Sequence, residues 1–516
     1  MTGNKNTALW DRWALATGGV LLLGYLLRLI PCWYSLYLIR PDEVQYWEMA
    51  HRLVYGDGCL AWEYRVGARS WLYVLPMALP LGVLKIFGIV RPEWYIPLVK
   101  SFLALLSMAL PLGMWRLSKV LYDAKTAFAA LLLGCFWYEL VLAANHGLTE
   151  YYAVIFCFSA LALLQVQVHG RRAFVMGLLF GMSLVFRPHN VVPLALLVTL
   201  LLPRFSSSAR GPLFLGGLLS LMIGAAVDWI TWGCPAHSFL LYGASILSQN
   251  ELHGLNPRWQ HLLNLTLCSR ALFAGVLLYG ILHLKRHPLT AGMAAVTVLF
   301  FSLQGAQEYS YLFLAIPFLL CLLSYVLVHA VRGWGRGLLL FFILYVTLLG
   351  LSGRLPARFI FRETGGELVR PNGALYRDPW LETGLALSRL EPGSVLWGCG
   401  DAVAPGGYYL FHHHRQLFFP IGVPAHAALL GERSPREFAR YCVFLRGTEP
   451  LPGFHWKTSV RGFDIHANDV VPPHQELEGY AYDFQLPDDQ KTLELLLAKK
   501  LIEKIPDPVP WNTAAP

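Results

Sequence analysis

Charged side chains are scarce in this sequence. They make up 14% of the 516 residues, whereas a soluble globular domain carries about 25%. Hydrophobic residues account for 56%, and long apolar runs hold most of that excess. These proportions exclude a disordered chain, a coiled coil and a disulfide scaffold, and they argue against a soluble enzyme.

Closely spaced cysteine pairs and internal repeats are also missing. None of the nine cysteines forms a C-x-x-C pair, so neither a zinc ribbon nor a thioredoxin-like site is indicated. His412, His413 and His414 are adjacent, but neighbouring residues of a strand point to opposite faces and cannot bind one metal together. We therefore expect no metal and no other cofactor.

The apolar runs predict a polytopic membrane protein with about eleven transmembrane helices. A helix needs roughly 20 mostly apolar residues to cross a bilayer. The first predicted helix lacks a cleavage site and is expected to stay attached, with Arg28 reaching toward the lipid head groups. Glu139 and Arg270 lie inside later runs, and the sequence identifies no partner for them. The predicted spans are residues 14–31, 95–115, 126–144, 151–168, 173–187, 190–203, 211–232, 262–284, 288–304, 311–329 and 337–352.

The distribution of positive charge predicts the orientation. The apolar run 71–90 contains Pro76 and Pro80, and we expect it to lie along the membrane surface. One face of the membrane then collects thirteen basic residues, namely Lys5, Arg12, Arg116, Lys119, Lys125, Arg171, Arg172, Arg204, Arg210, Lys285, Arg286, Arg332 and Arg336. Two aspartates, Asp11 and Asp123, oppose them, which is typical of a cytoplasmic face. The net charge of +9 therefore indicates a cytoplasmic N-terminus and an extracytoplasmic C-terminus, and it does not indicate nucleic-acid binding.

The sequence divides into two predicted domains. Residues 1–353 form a multi-pass transmembrane domain, whose first extracytoplasmic loop covers residues 32–70. Residues 354–516 form a small extracytoplasmic α/β domain. Its predicted strands lie at 394–397, 416–421 and 441–445, and its predicted helices lie near 378–390 and 489–504. The fold class is therefore mainly α, with an α/β domain after the membrane helices.

The first extracytoplasmic loop combines charge with a helical pattern. Pro41 suits the first position of a helix, where its missing N–H costs nothing. Asp42 and Glu43 then occupy the first turn, close to the positive end of the helix dipole. A carboxylate held there can stay ionised and act as a general base toward a hydroxyl group. The alternative is that both residues merely complement the dipole.

Several segments of this loop resemble the opening of glycosyltransferase family 22. They follow one another in the family's order and at similar spacing, as Arg40-Pro-Asp42-Glu43, Tyr46-Trp47-Glu48, Gly56-Asp-Gly58, Trp62-Glu63-Tyr64 and Arg69-Ser70-Trp-Leu-Tyr73. Members of this family are multi-pass mannosyltransferases that build GPI anchors and lipid-linked oligosaccharides. The resemblance implies a GT-C-like fold for the membrane domain, which is then the catalytic one.

Weaker similarities to the family follow in the same order. They comprise Asn145 to Glu150, Arg187-Pro188, Asp228 and Gln307-Glu308. The chain departs from the family at Ala306, Gln307 and Ser310, where the family has histidine, lysine and arginine. This departure, together with the lack of an evident retention signal, favours a bacterial inner membrane over the endoplasmic reticulum.

The resemblance implies transfer of a sugar, usually mannose, from a polyprenyl-phosphate donor to a lipid-linked glycan acceptor with inversion. Asp42 is then the general base, and Glu43 orients it or contacts sugar hydroxyls. Substrate binding is expected from Arg40, Trp47, Glu48, Trp62, Glu63, Arg69, Glu150, Arg187, Asp228, Arg258 and Glu308. The lipid tails would lie among membrane lipids, and the reaction would take place on the extracytoplasmic side.

Two other functions remain open. A lipid-linked glycan transporter or flippase would also combine many spans with polar groups facing a cavity, although transporters commonly carry two related halves. A polyprenyl-dependent transferase for arabinose, glucose or an oligosaccharide would share the layout. For Glu150, Asp228 and Glu308 individually, the alternative to substrate binding is a structural ion pair with a nearby arginine.

Overall fold

The computed structural model describes residues 5–35, 41–56, 60–244, 258–303 and 309–353, and parts of the chain between 379 and 498. The chain divides into two compact units. The first unit draws on Met1–Tyr34, Ser101–Ala226 and His253–Tyr376, and the second on Ser35–Lys100, Val227–Leu252 and Arg377–Pro516. The linear boundary after residue 353 stays a prediction.

Helices dominate the described residues. In chain order they are α1 (Lys5–Ile30), α2 (Pro41–Tyr55), α3 (Trp62–Val66), α4 (Leu75–Ile86), α5 (Pro92–Leu106), α6 (Ala109–Leu121), α7 (Ala124–Phe136), α8 (Tyr138–Ala143), α9 (Thr149–Ala162), α10 (Gly170–Phe186), α11 (Val191–Leu201), α12 (Ser207–Trp232), α13 (Gln260–Cys268), α14 (Leu272–Leu282), α15 (Pro288–Ser302), α16 (Ala315–Tyr325), α17 (Trp334–Leu351) and α18 (Pro379–Leu387). Short turns of 3₁₀ or π helix extend or connect them at Pro31–Ser35, Trp71–Val74, Pro188–Asn190, Leu202–Arg204, Tyr309–Leu314 and Val326–Ala330.

The helices make this a multi-pass membrane protein. Among the described residues, five stretches are long and apolar enough to cross a bilayer, namely Leu15–Tyr34, Pro92–Leu121, Ser207–Trp232, Tyr309–Ala330 and Trp334–Leu351. The bent pair α13 and α14 adds a sixth if it counts as one span. Shorter apolar helices occupy Trp71–Ile86, Ala124–Phe136, Thr149–Ala162, Pro188–Arg204 and Pro288–Ser302. The number eleven and the surface position of residues 71–90 stay predictions.

The predicted span 262–284 is not one continuous helix. In its place α13 and α14 meet at an angle of 118°. Arg270 and Ala271 between them have left-handed backbone conformations, with φ values of 51° and 68°, which interrupt the helical hydrogen bonds. The Ser269 hydroxyl accepts a hydrogen bond from the Phe273 N–H at 2.9 Å and so supports the start of α14.

Arg28 is buried, which corrects the expectation that it reaches the head groups. Its guanidinium donates to the carbonyl oxygens of Gly134 at 2.8 Å, Cys135 at 2.6 Å and Gly24 at 2.9 Å. Gly134 and Cys135 belong to the last turn of α7, where carbonyl oxygens lack partners within their own helix. The cation therefore caps α7 and complements the negative end of its dipole.

Glycines bring α10 and α12 into backbone contact in the first unit. A Cβ atom on Gly177 would lie under 3.0 Å from the carbonyl oxygen of Leu213, and one on Gly216 would lie equally close to that of Phe174. Tight packing between membrane helices relies on such small residues, because lipid supplies no hydrophobic drive for association. The α10–α12 interface therefore tolerates no side chain at these two positions.

The second unit includes a five-stranded sheet among the described residues. Its strands are β1 (Val395–Trp397), β2 (Phe418–Pro420), β3 (Tyr441–Leu445), β4 (His455–Val460) and β5 (Phe463–Ala467), in the order β2-β1-β3-β5-β4. The first three strands of that order are parallel, and β5 and β4 continue it antiparallel. Strands β1, β2 and β3 lie where the sequence predicts them, while β4 and β5 were not predicted. Most of the helical pattern at 489–504 lies outside the described residues.

The close α10–α12 contact predicts the effect of adding one methyl group. Gly177→Ala is expected to lower the melting temperature in detergent, because a backbone oxygen cannot move aside as a flexible side chain can. Overpacking of this kind costs about 1–3 kcal/mol. In the control Gly275→Ala, the new Cβ meets nothing within 4 Å, so stability should be unchanged or slightly higher. Equal melting temperatures for the two variants would contradict the contact.

Candidate functional site

In the second unit, α2 buries side chains that a surface helix would expose. Glu43 and Trp47 are fully buried, and Glu48 is 3% exposed. Helices on a protein surface turn their charges to water, so this helix contributes carboxylates to a polar interior. The helix begins at Pro41, which places Asp42 on the first turn, as the sequence predicts.

Arg69, which follows α3, links α3 to α2. Arg69 Nη2 lies 3.3 Å from Glu63 Oε1, and each side chain is 10% exposed. The Arg69 guanidinium also donates a hydrogen bond to the Tyr46 hydroxyl of α2 and lies 5.1 Å from the centre of the Tyr46 ring. Three of the loop segments that resemble the family therefore come together in space.

Aromatic side chains pack beside this ion pair. Tyr64 is fully buried and meets Trp71 edge to face, with ring centres 5.1 Å apart. Burial, and next the neighbouring Tyr46, raises the pKa of Tyr64 well above its usual value, so its phenol stays neutral. The first loop thus folds into a packed core of aromatic and charged side chains.

Asp228 anchors the turn that follows α12. Its Oδ2 accepts hydrogen bonds from the Ser238 backbone N–H at 2.9 Å and from the Ser238 hydroxyl at 2.6 Å. Asp228 is 2% exposed, and it forms no ion pair within the described part of the chain. Its substrate-binding role stays a prediction.

In the first unit, Arg187 stands at a break between two helices. α10 ends at Phe186 and α11 begins at Val191, with a 3₁₀ turn over Pro188–Asn190. A residue before proline avoids the helical conformation, and Arg187 accordingly has φ −143° and ψ 85°. The interruption between the predicted spans 173–187 and 190–203 is confirmed, and it turns the backbone at Arg187 away from the path of α10.

Glu150 of α9 is the ionic partner of Arg187. Arg187 Nη2 lies 3.5 Å from Glu150 Oε1, and both side chains are 5% exposed. The Thr149 hydroxyl donates to Glu150 Oε2 at 3.1 Å, and the Ser310 hydroxyl donates to Oε1 at 3.5 Å. The ion pair expected as the alternative for Glu150 is therefore present.

The 3₁₀ segment Tyr309–Leu314 completes the surroundings of this pair. The Arg187 guanidinium carbon lies 4.6 Å from the centre of the Tyr311 ring, a distance that allows a cation–π interaction. Val154, Asn190 and Leu314 line the same narrow recess. A guanidinium presents a planar fork suited to oxyanions such as phosphate, although the recess as it stands is too narrow to admit a water molecule.

The sequence did not single out Thr149, Asn190, Ser310 and Tyr311 as site residues. Ser310 departs from the family, which has arginine there, and this departure is the signal in the sequence that marks the position. The Ser310 hydroxyl donates to Glu150. The arginine that the family has at this position is larger and positively charged, so its contact with Glu150 would differ.

The remaining predicted site residues are placed less completely. Arg40 and Glu308 lie outside the described residues. Asp42 and Trp62 are described by their helical backbone alone. Arg258 is exposed in the turn before α13. The described residues contain no group of three or more His, Cys, Asp or Glu that could hold a metal ion, and metal independence stays a prediction.

The fold is similar to that of a solved membrane protein. ArnT from Cupriavidus metallidurans, bound to undecaprenyl phosphate, superposes with a TM-score of 0.57 at 14% identity, covering 90% of this chain and 100% of that one. The same protein in its apo state gives a TM-score of 0.54. At this identity the similarity establishes the fold alone, and it confirms the predicted polytopic, mainly helical GT-C-like class.

Residues 20–360 match the model of the Alg9-like mannosyltransferase family. The match covers more than half of the chain, so the protein belongs to this family, and the resemblance to glycosyltransferase family 22 is confirmed. GPI mannosyltransferase 3 of Yarrowia lipolytica is 26% identical over 291 residues, which are 54% of this chain and 56% of that protein. Mouse GPI alpha-1,2-mannosyltransferase 3 is 25% identical over 362 residues, covering 62% and 60% respectively. The chain therefore matches little more than half the length of these curated relatives.

The buried ion pair predicts an asymmetric response to mutation. Glu150→Ala leaves the Arg187 cation in the interior without its counter-charge, and loss of one partner of a buried pair costs about 3–5 kcal/mol. The double variant Glu150→Ala/Arg187→Met removes both charges and should recover much of that loss. Thermal unfolding in detergent measures both variants.

The exposed pair Arg389–Glu93 provides the control for this experiment. Its atoms are 3.7 Å apart, and the arginine is 65% exposed. Glu93→Ala should change stability by less than about 1 kcal/mol, because water screens such pairs. If Glu150→Ala lowered the melting temperature as little as Glu93→Ala, the description of Glu150–Arg187 as a buried pair would be wrong.

Proposed function

We propose that this protein is a membrane-embedded mannosyltransferase. It moves mannose from a polyprenyl-phosphate donor to a hydroxyl group of a lipid-linked glycan, with inversion at the anomeric carbon. Membership of the Alg9-like mannosyltransferase family supports the reaction class. The names of the Yarrowia and mouse relatives support mannose as the sugar.

The observation that carries the proposal is the first turn of α2. The helix begins at Pro41, so Asp42 lies where unpaired backbone N–H groups and the helix dipole favour a negative charge. Glu43, the next residue, is completely buried and fixes this turn against the interior. A carboxylate kept ionised at the start of a helix meets the requirement for a general base.

Asp42 acts on the acceptor in this mechanism. The carboxylate takes the proton of the acceptor hydroxyl while that oxygen forms a bond to the anomeric carbon. The bond between the anomeric carbon and the donor phosphate oxygen breaks, and the polyprenyl phosphate leaves with the electron pair. Attack on the face opposite the leaving group inverts the anomeric centre, as in inverting glycosidases.

Arg187 is the proposed partner of the donor phosphate. Its fork is bidentate toward oxyanions, and Tyr311 supports its plane from one side at 4.6 Å. Glu150 balances the charge of the arginine at 3.5 Å, so the cation persists in the interior before the donor binds. ArnT, a protein of the same fold, is known bound to undecaprenyl phosphate, which supports a polyprenyl carrier.

The side of the membrane is part of the proposal. Thirteen basic residues on the predicted cytoplasmic face assign the first loop to the opposite side. We therefore place the reaction on the extracytoplasmic side, and the departures at Ala306, Gln307 and Ser310 favour a bacterial inner membrane. The lipid tails of donor and acceptor would then lie among membrane lipids, while their phosphate and sugar groups reach the interface.

Transfer of labelled mannose tests the proposal. Membranes containing the protein receive polyprenyl-phosphate mannose with labelled sugar and a lipid extract of the host, and product is measured as label in the glycolipid fraction. Asp42→Asn is expected to lower the rate about 100-fold or more, because general-base catalysis contributes 10²–10⁴-fold. Loss of the proton acceptor, with the helix left intact, is the physical reason.

An exposed aspartate of the sheet-containing unit supplies the control. Asp469 has a side chain that is 71% exposed, and Asp469→Asn should leave the rate of transfer unchanged. Equal rates for Asp42→Asn and wild type would remove Asp42 from the mechanism. Transfer from a nucleotide sugar in the absence of any polyprenyl-phosphate sugar would overturn the proposed donor.

A further inference from the structure

Glu139 is a carboxylate held by neutral groups inside the first unit. It is 2% exposed and lies on the first turn of α8. Trp137 Nε1 donates to its Oε2 at 2.7 Å, and the Tyr309 hydroxyl donates to its Oε1. In the described part of the chain, no lysine, arginine or histidine forms an ion pair with Glu139. An indole N–H and a phenol O–H can each donate to a carboxyl oxygen, so both oxygens of Glu139 are engaged.

The residues on either side of Glu139 are themselves fixed. The Tyr138 hydroxyl donates to the carbonyl oxygen of Cys268 at 2.8 Å, at the end of α13. The Trp137 ring packs against Phe273 of α14, with ring centres 5.1 Å apart. The carboxylate therefore projects from a support that the bent pair α13 and α14 holds in place.

Tyr309 connects Glu139 to the candidate site. It is the first residue of the 3₁₀ segment Tyr309–Leu314, and the next two residues contact the ion pair. Ser310 donates to Glu150 at 3.5 Å, and Tyr311 lies under the Arg187 guanidinium at 4.6 Å. A short 3₁₀ segment has few internal hydrogen bonds, so its position depends on anchors of this kind.

We propose that Glu139 is a positioning residue for the transfer reaction. By accepting hydrogen bonds from Trp137 and Tyr309, it fixes the segment Tyr309–Leu314, so that Ser310 and Tyr311 hold Arg187 in place for the donor phosphate. Glu139 itself touches neither the donor nor the reacting atoms. This inference rests on the proposed function, because it assumes that Arg187 binds the donor.

The hydrogen-bond chemistry distinguishes three variants. Glu139→Leu keeps the approximate size and loses both acceptors. Tyr309→Phe removes one hydrogen-bond donor and keeps the ring that packs in the interior. It therefore tests the Tyr309–Glu139 hydrogen bond without disturbing the fold. Glu139→Gln retains an acceptor for Trp137, and its amide can donate to the Tyr309 hydroxyl, which also accepts hydrogen bonds.

Steady-state transfer kinetics with varied donor test this inference. Glu139→Leu and Tyr309→Phe should each raise the KM for the donor about tenfold with kcat changed less than about twofold, on the scale of one lost hydrogen bond. Glu139→Gln should raise the KM less than Glu139→Leu. The control Tyr345→Phe changes a half-exposed phenol on α17 and should leave both constants unchanged.

Coupling between the two residues is the sharper readout. If Glu139 acts through Tyr309, the double variant Glu139→Leu/Tyr309→Phe raises the KM no further than Glu139→Leu alone. Independent, multiplying effects of the two changes would overturn the inference. A fall in kcat with an unchanged KM in Tyr309→Phe would overturn it as well.

A measurement without turnover separates this inference from the proposed function. The drop in melting temperature caused by Glu150→Ala is measured in wild type and in Tyr309→Phe. If the segment positions the ion pair, the drop shrinks in Tyr309→Phe, because the pair is already loosened. An unchanged drop would overturn the positioning role. Absence of transfer in wild type, together with a reduced drop, would overturn the proposed function and support the positioning of Arg187.

Discussion

An ionisable side chain inside a membrane protein has to be matched by the polypeptide, because hydrocarbon offers neither ions nor hydrogen bonds. The structure meets this constraint in three ways. Arg187 and Glu150 neutralise each other at 3.5 Å, and Arg28 is shared among carbonyl oxygens at a helix end. Glu139 receives hydrogen bonds from neutral indole and phenol groups. Each solution requires two distant parts of the chain to meet, so the packing of the first unit follows from where its charges lie.

Breaks in the helices supply the positions for these charges. Arg187 can face Glu150 because Pro188 prevents α10 from continuing, and the helix ends at Phe186. The left-handed residues Arg270 and Ala271 turn α14 away from α13, and that corner supports Trp137. Irregular backbone at membrane depth is tolerated where protein surrounds it. The helices are therefore interrupted at the places where polar side chains cluster.

The sequence was most informative where the signal is local. Pro188 indicated the end of a helix. The loop segments around Trp47 and Glu63 carried the family resemblance that the family model confirms. It was least informative where a contact spans the chain. Glu139 and Tyr309 are 170 residues apart, and no periodicity links them. The bend at Ala271 was missed because neither a glycine nor a proline marks its left-handed conformation in the sequence.

Arg28 joins two helices that the ribosome makes at different times. The carbonyl oxygen of Cys135 follows it by 107 residues, so α1 enters the bilayer long before its partner exists. An unpartnered arginine at the centre of a membrane helix costs about 2.5–3.5 kcal/mol on insertion scales, but Arg28 lies near the end of α1, where its side chain can reach the head groups meanwhile. When α7 arrives, the guanidinium can exchange lipid and water for carbonyl oxygens. The order of synthesis thus separates the insertion of the first helix from the point at which Arg28 can gain the α7 carbonyl oxygens as partners.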